Sequence, residues 1–255
     1  MAGVQGGIGG GPVTFSKQKA LADWGWQLAI ADRPGFGQSP SRGPDDMEGD
    51  AVWISDLLGD GGNLIGHSWG GAEALLAAAR RPEAVRSLVL VEPALQGLAM
   101  TDPALEADPE LKATVAGMMQ PLLTAATPAE YARIFMRDLV GDAGARSSRG
   151  MGDLDEDGAA QLGCALLRGR MATPIELRRA AETVAAAKIP VLVVTGGWSA
   201  SIDAVARVAA QATGGTQATV PSANHFPQLE NSDAFNAAVD SFMRQHVGTA
   251  PTLSR

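Results

Sequence analysis

A mostly parallel, doubly wound α/β sheet interrupted by an inserted block of helices is the fold class that the sequence predicts. Three observations carry that reading. Short runs of apolar and β-branched residues alternate with segments of helical periodicity. A glycine-flanked serine stands between one such run and one such helix. A long middle stretch then breaks the rhythm with helical segments and no convincing strand.

The strand candidates come first. Gln27 to Ala31 (QLAIA), Ser87 to Val91 (SLVLV) and Ile189 to Thr195 (IPVLVVT) are apolar on both faces, as strands covered by helices on either side must be. Asn63 to Gly66 and Thr216 to Val220 are weaker candidates. Helices are predicted over Asp46–Leu58, Gly70–Arg80, Ser201–Ala212 and Ser232–His246. In the first of these, Met47, Ala51, Ile54 and Leu58 recur at helical spacing, and Asp50 and Asp56 are expected to face away from the core.

This pattern divides the chain into a core, residues 1–95 and 186–255, and an inserted helical cap, residues 96–185. Six of the nine methionines fall in the cap or its edge (Met100, Met118, Met119, Met136, Met151, Met171). Adaptable thioethers suit either the underside of a lid or plain packing between helices. The polar, glycine-rich run Gly141 to Asp157 reads as a connection within the cap.

Composition narrows the function. A chain of 255 residues that is 45% hydrophobic can bury one large core, and its net charge of −8 gives no footprint for a nucleic-acid backbone or an anionic membrane. No apolar stretch approaches the ~20 residues that span a bilayer, and the N-terminus lacks the pattern of a secretory signal. With Cys164 as the single cysteine, no internal disulfide can form, and a reducing, cytoplasmic location is expected.

The chemistry centres on Gly66-His67-Ser68-Trp69-Gly70, a G-x-S-x-G placed between a strand and a helix. A serine on a tight turn there stands clear of the sheet, and Gly66 and Gly70 let neighbouring backbone approach. Its hydroxyl needs a base. His225, in PSANHFP after the last strand, fits; of the other two histidines, His67 adjoins the serine on the turn and His246 ends a polar helix.

Two acids keep the order serine, acid, histidine. Glu92 ends the strand SLVLV, where sheet topology places active-site groups. Asp203 follows the strand IPVLVVT but lies within the next predicted helix, and Ser199 occupies the position where an aspartate is commonly expected. Glu92 is preferred, with Asp203 as the alternative.

An oxyanion hole needs two convergent backbone donors. Trp69, which follows the nucleophile, supplies one, and Gly7 in the run QGGIGGG is the candidate for the other. That run matches neither a dinucleotide fingerprint nor a P-loop. DRPGFG, from Asp32 to Gly37, reads as a sharp turn whose backbone is satisfied by Asp32 and Arg33.

Together QGGIGGG, DRPGFGQS, GHSWGG, LVEPAL and PSANHFPQL resemble the α/β-hydrolase family over the whole chain apart from the cap. Placement of the acid at Glu92 is similar to the arrangement in zearalenone-type lactone hydrolases. The resemblance also carries the oxyanion role onto Gly7, and it disfavours the dehalogenase and epoxide hydrolase branches, whose nucleophile is aspartate. Family members usually have further strands before the oxyanion loop, so N-terminal edge strands are expected to be missing. The implied activity is hydrolysis of an ester or lactone bond in a small, mostly apolar substrate through an acyl-enzyme on Ser68, with no metal and no cofactor. Carbon–carbon bond hydrolysis, acyl transfer and non-catalytic ligand binding are the alternatives.

Overall fold

The computed structural model describes residues 2–4, 11–147 and 155–246. Six parallel strands form one sheet: β1 (Ala2–Val4), β2 (Ala29–Ala31), β3 (Gly62–His67), β4 (Val85–Val91), β5 (Val191–Thr195) and β6 (Thr216–Thr219), in the order β2-β1-β3-β4-β5-β6. The strands predicted at SLVLV and IPVLVVT are β4 and β5, paired through Leu88 to Val191 and Val91 to Val194. β1 lies inside the sheet, its three residues pairing with β2 on one side and β3 on the other.

Strand alternation divides the core in two, because successive side chains point to opposite faces. Leu88 and Leu90 of β4 face one layer, and Val89 and Val91 face the other. The first layer is covered by α1 (Met47–Leu57) and α2 (Trp69–Arg80), and its principal apolar residues include Ile54, Leu75 and Leu98.

Between β4 and β5 the chain is helical. After two short helices, Gln96–Met100 and Pro103–Glu106, come α3 (Pro109–Thr124), α4 (Pro128–Ser147), α5 (Glu156–Arg168) and α6 (Pro174–Ala186). The last of these starts with a capping box between Thr173 and Glu176 and buries Leu177, Ala181 and Val184 in the first layer. It packs there against α2 and against α7 (Ala200–Thr213), which connects β5 to β6. The second layer is closed by α8 (Ser232–Gln245), through Phe235, Val239 and Met243.

Three local expectations change. Gly141 to Ser147, read as part of a connection, continue α4, a continuation that Ala143, Ala145 and Arg146 favour as strong helix formers; residues 148–154 lie outside the described residues. Asp50, expected to face away from the core, is buried, because a cation waits for it inside. That cation is Arg33, which is fully buried and serves acidic side chains instead of the turn backbone. The Asp32 carboxylate does serve the turn, accepting from the Gln38 amide (3.1 Å) and also from the Gly11 amide (2.8 Å), while the Phe36 and Ser39 amides bond within the turn to the Arg33 and Phe36 carbonyls.

Candidate active site

Ser68 occupies the turn between β3 and α2 with φ 54° and ψ −121°, a conformation that side-chain-bearing residues rarely adopt. The surrounding backbone holds it there. The Ser68 amide donates to the Val91 carbonyl (2.9 Å), and the Ser68 carbonyl accepts from the amides of Gly71 (2.9 Å) and Ala94 (2.9 Å). A Cβ on Gly66 would collide with the Gly70 carbonyl and the Ala74 side chain, so glycine is required for this close approach. Trp69 opens α2, and its amide therefore has no acceptor within the helix. Gly7, the other expected oxyanion donor, lies outside the described residues.

Glu92 follows β4, also at positive φ (45°), with its amide donating to the Val194 carbonyl (2.8 Å). Its carboxylate is fully buried and hydrogen-bonded at both oxygens. Oε1 accepts from the Gly196 amide (2.6 Å) and the Trp198 indole (3.1 Å), and Oε2 accepts from the same indole (3.0 Å). His225 Nδ1 lies 2.9 Å from Oε2. A neutral imidazole that donates from Nδ1 keeps Nε2 as a bare acceptor. Nε2 is buried and makes no hydrogen bond among the described residues; Ser68 and His225 line the same cavity without being bonded to each other.

Asp203 does not meet His225. It sits in the first turn of α7, and Ser199, at the position where an aspartate is commonly expected, caps that helix by accepting from the Ile202 amide (3.4 Å). The loop after β5 thus delivers donors to Glu92 in place of an acid. Trp198 was missed in the sequence; the only signal was the Gly196-Gly197 pair at the carboxyl end of a strand.

His67 was also passed over. It is fully buried, with its ring 4.8 Å from that of His225 and 5.1 Å from that of Phe226, and its Nε2 donates to the His225 carbonyl (2.8 Å). Burial holds its pKa well below the usual imidazole range, and the neighbouring His225 lowers it further.

A second polar cluster lies beside Trp69. The Arg33 guanidinium is 2.7 Å from Asp45, 3.5 Å from Glu73 and 3.9 Å from Asp50, and Glu73 also accepts from the Trp69 indole (2.6 Å). Burial pushes the Glu73 carboxyl well above the usual carboxylate range; Arg33 opposes that shift and Asp50 adds to it.

The cavity holding Ser68 and His225 has a volume of about 160 Å³ and a mostly apolar wall. Met118, Met119 and Leu122 of α3, Phe135 of α4 and Leu162 and Leu166 of α5 face it. Of the methionines noted in the sequence, Met171 joins Met118 and Met119 there, Met100 packs against the core, and Met151 lies outside the described residues. Among the described residues no group of three His, Cys, Asp or Glu side chains is placed to hold a metal ion, and no helix is long and apolar enough to cross a membrane.

Residues 4–232 match the family described as alpha/beta hydrolase fold. The chain belongs to that family. This α/β-hydrolase is similar to the enol-lactonase from Burkholderia xenovorans LB400, with a TM-score of 0.63 and 21% identity over 95% of this chain and 90% of that one. It is also similar to NosK from Streptomyces actuosus, with a TM-score of 0.55 and 27% identity over 96% of this chain and 97% of that one. Local sequence similarity reaches 38% over 65 residues with a pimeloyl-[acyl-carrier protein] methyl ester esterase of Neisseria meningitidis, covering 26% of this chain and 25% of the relative. It reaches 38% over 72 residues with Lipase LipV of Mycobacterium tuberculosis, covering 27% of this chain and 28% of the relative. The α/β-hydrolase thus spans about a quarter of the length of these curated relatives.

Proposed function

We propose that this α/β-hydrolase cleaves an ester or lactone bond in a small, mostly apolar substrate through an acyl-enzyme on Ser68. The observation that carries the reading is the His225 imidazole: it is held at Nδ1 by the buried Glu92 carboxylate and keeps Nε2 free at the cavity that Ser68 also lines. The hydrogen bond between a nucleophile and its base is often long or poorly aligned before substrate binds, and it tightens in the complex.

In the proposed reaction the Ser68 oxygen attacks the substrate carbonyl carbon while its proton passes to His225 Nε2. The developing oxyanion is received by the Trp69 amide, with the Gly7 amide as second donor. The tetrahedral intermediate expels the alcohol oxygen, which takes the proton from Nε2. Water then attacks the acyl-enzyme by the same path, and His225 returns the proton to Ser68. Glu92 stabilises the imidazolium formed in each half-reaction. Apart from the substrate and the attacking water, every group in this scheme comes from the chain itself, so it calls on no metal or cofactor.

Residues 96–185 serve in this reading as the cap, with α3 to α5 facing the substrate and α6 anchoring the insert to the core. The names of similar proteins, an esterase, a lipase and an enol-lactonase, point to the same bond class. The single cysteine fits a cytoplasmic location.

The test is labelling with a fluorophosphonate probe alongside turnover of p-nitrophenyl and lactone substrates. Ser68→Ala should abolish both, lowering kcat by about 10⁴-fold or more. Undiminished labelling or turnover in that variant removes Ser68 from the mechanism.

A further inference from the structure

The ionisable side chains facing the cavity, among the described residues, are Asp45, Glu92, Tyr131 and His225. Glu92 and His225 are bound to each other, so Asp45 is the carboxylate that an incoming substrate meets. Asp45 does not stand alone. Its Oδ2 lies 2.7 Å from Arg33 Nη2, with the Asp45 side chain 21% exposed and that of Arg33 at 0%. The guanidinium sits 4.7 Å from the centre of the Phe36 ring and 5.6 Å from that of Trp69, and both rings line the cavity. A cation therefore lies one side-chain layer behind the wall, with Asp45 in the place where an anion from the cavity would reach it. Glu73 and Asp50 lie 3.5 and 3.9 Å from it on the protein side.

We propose that Asp45 is a specificity-determining residue: by occupying the anion position on Arg33 it closes the cavity to carboxylate-bearing chains and restricts the substrate to uncharged ones. This rests on the hydrolase reading above and names the substrate class within it. A second carboxylate entering the cavity would lose its hydration, gain no cation and face a like charge. Discrimination of this kind is built by repulsion, and it does not require any added attraction for the correct substrate.

The test compares methyl esters of straight-chain monocarboxylic acids with the monomethyl esters of dicarboxylic acids of matched length, from butanoate to decanoate. Circular dichroism checks the fold of each variant. Wild type should prefer the uncharged member by about 100-fold in kcat/KM, since like-charge juxtaposition costs several kcal/mol. Asp45→Ala should shrink that ratio at least tenfold by a gain on the half-esters, because it uncovers Arg33. Asp45→Asn, which keeps an acceptor on Arg33, should shrink it less, and it carries the test if the alanine variant does not fold. Equal use of both ester classes by wild type, or an unchanged ratio in the folded variants, overturns the proposal while leaving the hydrolase reading intact. Absence of both turnover and Ser68 labelling in wild type overturns both.

Discussion

Two buried polar clusters flank the Ser68 turn, and each contains a carboxylate with no solvent exposure. Around Glu92 the solution is directional: the Gly196 amide, the Trp198 indole and His225 Nδ1 all point at its oxygens. Around Glu73 it is largely coulombic. Glu73 Oε1 takes the Trp69 indole and faces Arg33, while Oε2 makes no hydrogen bond among the described residues. One guanidinium is shared there among three acids, and burial drives Glu73 towards its protonated form. Equal depth thus has unequal consequences. A buried carboxylate aimed at by N–H donors can orient a neighbour, whereas one whose burial is only partly offset by a shared charge is pushed towards its protonated form.

The largest break in this comparison is expected at Glu92. Replacing it with Gln presents an amide to His225 Nδ1 and favours the wrong tautomer, so kcat/KM should fall by about 10³- to 10⁴-fold. Asp203→Asn should stay within a few-fold of wild type. Steady-state kinetics on one ester decides the point, and the reverse ranking would move the acid to Asp203. Trp198→Phe keeps the ring and removes the donor that touches both Glu92 oxygens. It should destabilise the fold by about 1–3 kcal/mol and lower kcat less than Glu92→Gln. Unaltered chemical denaturation and turnover would show that the indole N–H contributes nothing.

The two clusters were unequally legible in the sequence. Glu92 stood out because a charge directly after LVLV ends a strand covered on both faces, and β4 and β5 were recognisable for the same reason. The motif around Ser68 carries its own context of strand, glycine and helix. Arg33 was not legible as a core residue. Asp50 was consequently assigned to the outer face of α1, since periodicity alone treats every acid as solvent-facing and cannot register a buried counter-charge brought from another segment. Trp198 was hidden for a related reason: an indole donor acquires its partner only when β4 and β5 are laid side by side. β1 escaped notice because three residues that include a glycine give too little pattern to separate from a loop.

Solution pH sharpens the comparison further, because the clusters hold groups whose shifts have opposite consequences. For Glu73, folded and unfolded chains are both protonated well below the ordinary value of 4.5, and there the shift has no effect on stability. As pH rises past that value the unfolded chain releases its proton first, so the native state loses stability until the folded group also ionises. Glu73→Gln mimics the protonated acid. It should therefore leave stability unchanged near about pH 4 and raise it near about pH 8, read as urea midpoints; equal midpoint changes at both pH values would rule out a proton on Glu73.

His67, beside His225, acts in the other direction. Its folded pKa lies well below 6.5, so above that value neither state binds the proton and no stability is at stake. Below it the unfolded chain takes up a proton that the buried ring refuses, and the native state weakens by up to about 1.4 kcal/mol per pH unit. Gln at position 67 retains an N–H for the His225 carbonyl but has no titrating ring. The variant should therefore lose less stability than wild type between about pH 6.5 and pH 5, even if it starts lower because the ring contacts with His225 and Phe226 are gone. Parallel pH profiles for the two proteins would mean that the ring admits the proton after all, and that its burial beside His225 opens on acidification.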